Sequence, residues 1–411
     1  MAALVFTLLL FFAMILGVGF VNRSLVLEQR ASANQYRSTQ AFEAAEAGLE
    51  WALAQLAKSD PVDAECLPGA DPASTSFRER YLPYDASTAR RRPQTWDDAG
   101  VTKPLLPTCV KAGDGWACSC PPAGPPALAV PVETPAPAFN VTFLPTDRPG
   151  IVRAVATGCS ALGGPCQEGG PAVDASGVVQ ALFGLLPALH TAPAASLTVR
   201  GAVDADTAPF GAHNADAASG GLAIHAGGAV AASRARLEGP AGGSTARVVA
   251  GLDPALAALS EGRFFARHFA LDRERWARQP SAHTVACPAE CSAPLRAVVD
   301  AGRGAALVFV EGDLRLEGPL ALGSTQRPIL IVAAGNVQLI GPVALTGLLY
   351  GSRSVHWDGP GLGASMRGAL MAAGDYRGDA TPQLVYDSDV LRRLKGDAGT
   401  FVRVSGSWRD F

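Results

Sequence analysis

The stretch from Met1 to Val21 contains no charged residue, and Thr7 is its one clearly polar side chain. Because about 20 consecutive apolar residues are enough to cross a bilayer, this stretch predicts a membrane-spanning helix. Charged residues begin at Arg23, but no proline occurs before Pro61, so nothing interrupts the helical pattern. We therefore predict one continuous helix over residues 1–57, about 85 Å long at 1.5 Å per residue.

The second half of this helix has a different pattern from the first. Phe42, Ala45, Leu49, Leu53 and Leu56 recur at helical spacing and mark one apolar face, while the charged side chains fall on other faces. An amphipathic helix buries its apolar face against another element. We expect this half to pack against a folded body and the first half to lie in lipid.

Two segments of the helix carry a more specific pattern, namely Leu-Glu-Gln-Arg at 27–30 and Ala-Phe-Glu-Ala-Ala-Glu-Ala-Gly-Leu at 41–49. With residues 1–5, they resemble the N-terminal region of PilX-type minor pilins. Residues 385–387 and 401–409 resemble, more loosely, the C-terminal end of large PilX-like proteins. The resemblance implies that Met1 begins the mature chain after removal of a leader and carries the N-methylation of pilins. A secretory signal would have a basic start and a shorter apolar core, so it does not fit this stretch. An ordinary membrane anchor is the remaining alternative.

Val5 departs from the pattern of most pilins, which carry a glutamate at this place. A carboxylate in lipid is costly unless it is paired, and the pilin glutamate is paired by a neighbouring subunit. A subunit with Val5 needs no such neighbour, so the resemblance implies a tip or initiating subunit. Gly17 and Gly19 are weak points of the helix, and two interpretations are open: they let the segment extend or bend on leaving the bilayer, or they only permit close packing.

The composition argues against several classes of function. The chain has 48% apolar and 17% charged residues and a net charge of −3, without the concentrated basic face of a nucleic-acid-binding protein. The hydrolase elbow, the phosphate-binding loop and the paired histidines of zinc proteases are all missing, so no catalytic residue is predicted. We expect no cofactor or metal. Calcium at Asp387 and Asp389, or at Asp375 and Asp379, is the less favoured alternative, because capping and turn roles explain these residues.

Eight cysteines follow the membrane stretch, and an even number in an exported body indicates disulfides. The spacing suits one local bridge between Cys159 and Cys166 and another between Cys287 and Cys291. Three pairings remain open for the other four, although the i, i+2 spacing makes Cys118 with Cys120 a poor pair. Zinc is a weaker interpretation of the same residues. The four open positions are Cys66, Cys109, Cys118 and Cys120.

The remaining chain divides by composition into three regions. Residues 58–138 are rich in proline, glycine and cysteine and predict an irregular insertion. Residues 139–186 contain three short alternating runs and predict a pilin-like antiparallel sheet on which the amphipathic helix packs. Residues 187–411 predict a large β-rich domain, with a helical insertion near 253–278. Between a β-solenoid and a β-sandwich the sequence favours the solenoid only slightly, because no strict repeat is visible.

Together these features predict an α+β protein with a long N-terminal helix on an antiparallel sheet, followed by a large β-rich domain. The resemblance implies a non-enzymatic minor pilin at the tip of a type IV pilus for adhesion or twitching motility. It would lie in the inner membrane with a periplasmic body before assembly. It would contact other minor pilins, the major pilin and a tip adhesin or surface, and no nucleic acid. A membrane-anchored periplasmic enzyme or glycan-binding β-solenoid is the alternative.

Overall fold

The computed structural model describes residues 2–69, 74–128, 136–167, 172–241, 248–301, 305–359 and 363–410. The first part comprises α1 Ala2–Ala57, α2 Phe77–Tyr81, β1 Tyr84–Asp85, β2 Arg90–Arg91, β3 Thr95–Asp98, β4 Val101–Pro104, β5 Thr108–Ala112, β6 Gly115–Ser119, β7 Ala138–Pro145, β8 Ile151–Cys159 and β9 Ser176–Pro187. The next part comprises β10 Ala195–Val199, β11 Val203–Asp204, β12 Gly211–His213, β13 Leu222–Ala226, β14 Val230–Ala231, β15 Arg236–Glu238, β16 Val249–Ala250, α3 Pro254–Ala257, α4 Glu261–Phe269 and α5 Arg273–Ala277. The last part comprises β17 Ala282–Val285, α6 Ser292–Ala301, β18 Ala306–Val310, β19 Leu314–Glu317, β20 Leu320–Leu322, β21 Ile329–Ala333, β22 Val337–Ile340, β23 Val343–Gly351, β24 Val355–Asp358, β25 Ser365–Ala372, β26 Tyr376–Gly378, β27 Gln383–Tyr386, α7 Ser388–Asp397 and β28 Gly399–Arg403.

The C-terminal half of α1 packs on a six-stranded antiparallel sheet of order β28-β9-β8-β7-β5-β6. Alternate residues of the strands face the helix, as the period of two in a β-strand requires. Phe139, Val141, Ala154 and Phe183 thus share one core cluster with Leu49 of the helix. We call this unit the helix–sheet body.

Glycines in the strands let the helix lie unusually close to the sheet. A Cβ atom at Gly158 of β8 would lie only 2.0 Å from the carbonyl oxygen of Ala41 and 2.4 Å from the amide nitrogen of Ala45. At Gly177 of β9, a Cβ atom would lie 3.3 Å from the Cα atom of Phe42. The small residues on both sides therefore set the distance between helix and sheet.

The predicted α+β class, with its long helix, antiparallel sheet and large β-rich part, is confirmed. The boundaries differ from those expected. Strands β5 and β6 lie inside the expected insertion at 58–138 but belong to the sheet. Strand β28 pairs with β9, so the end of the expected domain at 187–411 returns to the helix–sheet body. The β-rich domain is therefore inserted between two neighbouring strands, which local sequence patterns do not reveal.

The inserted domain is a parallel β-solenoid. All described strand pairs from β10 to β27 run parallel, and the interior is one apolar cluster that includes Leu197, Ile331, Leu349, Trp357 and Leu370. Successive coils differ in length. Paired positions are 23 residues apart for Ala306 and Ile329, 18 for Ile329 and Gly347, and 21 for Gly347 and Gly368. Unequal coils explain why the sequence shows no fixed repeat.

The coils of the solenoid do not follow one another in chain order from one end to the other. The stacked strands on one side have the order β16-β13-β10-β25-β23-β21-β18-β17. The chain thus enters at β10 in the middle and builds coils towards β16. It then crosses through α3, α4 and α5 to the far end at β17 and returns coil by coil to β25, beside β10. Helix α6 packs on the far end, where Leu295 is buried in the solenoid core. Both connections to the helix–sheet body therefore leave from neighbouring coils.

The helical insertion expected near 253–278 consists of three helices, separated at 258–260 and 270–272. Asp253, Ser260 and Asp272 cap the three helices through hydrogen bonds from backbone amides. The helices cover the outer side of the solenoid with a cluster of buried aromatic residues. This cluster comprises Phe264, Phe265, Phe269, Trp276 and Tyr350.

Candidate functional site

The N-terminal half of α1 projects from the helix–sheet body with its apolar side chains uncovered. Within the described residues, α1 is the one helix long and apolar enough to cross a membrane, and none of its apolar window is buried. Phe6, Phe11 and Phe20 are 68%, 66% and 76% exposed. Soluble monomers rarely expose a continuous apolar surface of this size. This half of α1 is therefore a contact surface for lipid or for other apolar helices, and it is the candidate functional site.

The predicted assembly residues divide between the two halves of α1. Gly17 and Gly19 lie in the exposed half, where a Cβ atom would meet nothing within 4 Å. Leu49 is buried in the body, and Phe42 and Leu53 are half-buried against the same core. Met1 lies outside the described residues. Val5 lies in α1, but its side chain is outside the described part of the structure.

The outer side of the packed half of α1 is acidic. Glu43, Glu46 and Glu50 are exposed, and Glu50 forms an ion pair of 2.8 Å with Arg403 of β28. On the same flank, Trp408 packs edge-to-face on Phe42 with ring centroids 6.3 Å apart. The packed half of α1 therefore presents acidic groups to any neighbouring subunit.

A buried arginine forms hydrogen bonds with the C-terminal end of α1. Arg78 of α2 donates from Nε and Nη2 to the carbonyl oxygen of Leu56, at 2.9 and 2.7 Å. Helix C-termini carry unsatisfied carbonyls and a partial negative charge, so a guanidinium there is favourable. Burial and the nearby charge of Arg91 lower the pKa of Arg78 to about 9, although Asp397 and Glu79 oppose that change.

This arginine belongs to an ion network that links α1 to the exit of the solenoid. Arg91 of β2 pairs with Glu79 of α2 at 2.5 Å and with Asp397 of α7. The side chain of Asp397 has no exposure to solvent, and it also pairs with Arg393 of α7 at 3.3 Å. This network could not be predicted from the sequence, because Arg78 and Asp397 are 319 residues apart and neither belongs to a recognisable motif.

The solenoid also contacts the chain immediately after α1. Ser59 Oγ lies 3.0 Å from His283 Nε2 of β17, and the buried hydroxyls of Ser281 and Thr400 lie 2.9 Å apart. These contacts are at the end of α1 that lies opposite its apolar half. The solenoid is therefore on the side of the body farthest from the candidate membrane stretch.

All eight cysteines form disulfides in the structure, and no described cysteine is free. Two bridges are the local ones that the spacing suited, and the other two resolve the set that was left open. Of these two, one ties the loop after α1 to the residue that follows β6, and the other joins the neighbouring strands β5 and β6. The four pairs are Cys159–Cys166, Cys287–Cys291, Cys66–Cys120 and Cys109–Cys118.

The carboxylates considered for calcium already accept hydrogen bonds from the protein. Asp387 caps α7 through the amides of Asp389 and Val390 and pairs with Arg367 at 2.6 Å. Asp375 accepts from the amide of Ala202 at 2.8 Å.

A different group of possible metal ligands is formed by His356, Asp358 and Asp379, whose ligand atoms lie within 4.8 Å of one another. The pKa of Asp379 is lowered by hydrogen bonds from Thr207 and His356. Arg377 lies 3.4 Å from the same carboxylate. A neighbouring guanidinium disfavours a bound cation, so this group fits a hydrogen-bonded network better than a metal site.

Comparison with known proteins addresses the N-terminal helix directly. Residues 1–50 match the PilX N-terminal family. The resemblance seen in the sequence is thereby confirmed, and this segment of α1 is of the PilX type. The match ends at residue 50 of the helix, so it covers the apolar half and most of the packed half.

The other comparisons add less. No curated protein sequence matches the chain. Among solved structures, the chain is similar to the competence-associated pilin ComZ from Thermus thermophilus, with 12% identity over 91% of this chain and 98% of that chain. The TM-score is 0.22, which is too low to carry an argument. The family match supports a structural pilin-type role for the PilX-type helix rather than an enzymatic one.

Proposed function

We propose that this protein is a minor pilin that primes assembly of a type IV pilus and remains at its tip. The observation that carries the proposal is the uncovered apolar half of α1, in a segment that matches the PilX N-terminal family. Before assembly, this half spans the inner membrane and holds the body in the periplasm. During assembly, it exchanges contacts with lipid for contacts with the helices of other minor pilins and of the major pilin.

The position of the solenoid supports a place at the tip. The solenoid is attached beyond the C-terminal end of α1, where Ser59 contacts His283 and Arg78 is near Asp397. In a filament in which the N-terminal ends of the helices point towards the base, the side of the body at the C-terminal end of α1 faces the distal end. A domain extending from residue 195 to residue 386 on that side obstructs the place of a further subunit. The absence of a carboxylate at Val5 agrees with a subunit that needs no neighbour above it.

The solenoid then presents its surface beyond the filament. We propose that it contacts a tip adhesin or an external surface. Its two connections leave from adjacent coils, and the buried network of Arg78, Arg91 and Asp397 fixes the second connection to α1. We expect a junction held by these contacts to carry tension between the helix–sheet body and the domain.

The first test replaces Val5 and counts pili. A Val5→Glu variant introduces a carboxylate without a partner, so we expect a loss of pili comparable to that in a deletion strain. Val5→Leu keeps the site apolar and is the matched control, with normal pilus numbers expected. Normal piliation in Val5→Glu cells would contradict the constraint proposed at this position.

The second test locates the protein. Antibodies against the solenoid, used on sheared filaments in electron microscopy, should label one end of each filament. Mass spectrometry of the recovered protein should find a chain that starts at a methylated Met1. Labelling along the whole filament would refute the tip position. Failure to recover the protein from filaments, together with normal piliation in the deletion strain, would refute the pilin function itself.

A further inference from the structure

A cavity of about 310 Å³ lies between β8, β9 and the C-terminal segment of the helix–sheet body, and its lining is strongly basic. Arg148 of the β7–β8 turn, Arg153 of β8 and Arg409 of the C-terminal segment line it. No acidic residue among the described residues lines the cavity. In a chain with 34 basic and 37 acidic residues, three arginines around one small cavity without a carboxylate form an unusual concentration of charge.

The arginines are held on a fixed frame. Arg153 lies in the centre of the sheet, between neighbours on β7 and β9. The backbone of Arg409 exchanges two hydrogen bonds with Gln180, at 2.8 and 2.9 Å, which fixes the C-terminal segment along β9. The guanidinium groups of Arg148 and Arg153 form no ion pair within the described part of the chain. Their charges are therefore available to a ligand.

The basic lining continues beyond this cavity. An adjoining cavity of about 480 Å³ shares Arg148, and a third of about 350 Å³ shares Arg90 and Gly150 with the second. Lys395 of α7 lines the third cavity. Across the described lining of all three there is again no acidic residue. We call these three adjoining cavities the basic groove. Their repeated basic groups fit an extended polyanion better than a single small anion.

The other lining groups indicate the type of polyanion. Gln180 and Ser405 contribute an amide and a hydroxyl, which suit a ligand rich in hydroxyl groups. No described aromatic residue lines the first cavity, and Phe143 beside the second is 3% exposed. Proteins that bind single-stranded nucleic acids use exposed aromatic rings on which bases stack, and these cavities offer none. Arginine, in contrast, binds carboxylate and sulfate groups through a planar pair of donors.

We propose that this groove binds an acidic polysaccharide, with a carboxylate or sulfate group held by Arg148 and Arg153. This site lies outside the exposed half of α1 and outside the stacked strands of the solenoid, so it adds a second contact surface to the protein. It does not depend on assembly into a filament.

The test measures binding by the full-length protein in neutral detergent micelles, with an oligogalacturonate hexamer and a heparin-derived hexasaccharide as probes. A neutral maltohexaose and a short DNA duplex are the comparison ligands. We expect both acidic oligosaccharides to bind, and more weakly as salt concentration rises. The double variant Arg148→Ala/Arg153→Ala should weaken binding by at least about tenfold, because hydrogen bonds to charged groups are worth more than 1.4 kcal/mol.

Two further variants make the result specific. Arg148→Lys/Arg153→Lys keeps the charge but loses the paired donors, so it should bind with intermediate affinity. Arg296→Ala/Arg353→Ala removes two exposed arginines outside the three cavities and should bind like the wild type. The proposal is overturned if neither acidic oligosaccharide binds, or if Arg148→Ala/Arg153→Ala binds them as the wild type does. Binding of DNA alone, lost in that variant, would overturn it in favour of a nucleic-acid site.

Discussion

The contact between α1 and the sheet provides the sharpest test of the structure, through the substitution Gly158→Ala. A Cβ atom at this position would lie 2.0 Å from the carbonyl oxygen of Ala41, which belongs to the regular backbone of α1. Ordinary contacts of a carbon atom begin at about 3.5 Å, so the helix must move away by about 1.5 Å. Overpacking of this kind costs about 1–3 kcal/mol. Because the obstacle is backbone and not a flexible side chain, we expect about 2–3 kcal/mol.

This loss is measurable by thermal unfolding of the full-length protein in neutral detergent. A loss of 1 kcal/mol lowers the melting temperature of a unit of 150–250 residues by about 2–4 °C, so the expected decrease is about 4–12 °C. The matched control is Gly262→Ala in α4, where a Cβ atom meets nothing within 4 Å. It should stabilise the protein by about 0.4–1 kcal/mol. If Gly158→Ala melts like the wild type, α1 does not lie against β8 as described.

Three further predictions concern other parts of the molecule. Cys66→Ser opens a bridge with a sequence separation of 54 residues, so it should lower the free energy of unfolding by about 4 kcal/mol; no change in urea unfolding would contradict the bridge. Trp276→Ala empties the centre of the aromatic cluster on the solenoid and should cost about 3–5 kcal/mol in the same assay, whereas a cost below 1 kcal/mol would show that the cluster is loosely packed. The pKa of Asp379 is lowered by hydrogen bonds from Thr207 and His356, so its stabilisation is complete above the usual aspartate pKa of about 3.9 and is lost as the pH falls through the lowered value. Asp379→Asn should therefore lower the melting temperature at pH 7 more than at pH 3, and an equal effect at both pH values would argue against this network.

The local features of the chain could be predicted from the sequence. An uncharged run of 22 residues, followed by an apolar stripe at helical spacing, predicts a long helix with two different halves. The class of the fold follows, since the stripe around Leu49 must be covered and alternating runs such as Phe139–Phe143 offer a sheet to cover it. The role of Gly158 could not be read in advance, because its significance is a contact with a helix more than 100 residues away.

The features that were missed depend on long-range pairing. Strand β28 joins the sheet beside β9, although about 210 residues of solenoid and connections separate them. The short sequence Gly399–Arg403 contains no pattern that indicates which strand it pairs with. The solenoid was hard to recognise for a related reason. Its coils differ by several residues in length, so the parallel register is maintained by turns of different size and not by a repeated sequence.

The site of the insertion has a mechanical consequence. A domain appended after β28 would be joined to the body by one strand of chain, and tension would act on that connection alone. Here the solenoid begins after β9 and ends before β28, two strands that are hydrogen-bonded to each other. Its connections leave from adjacent coils, and Asp397 at the second connection is bound to Arg91, next to the arginine that holds the end of α1. A force on the solenoid is therefore shared between two antiparallel strands and the assembly helix. Each connection ends in a strand that is hydrogen-bonded to the strand of the other connection, so a pull on the solenoid acts on two paired strands of the sheet and not on a single free one.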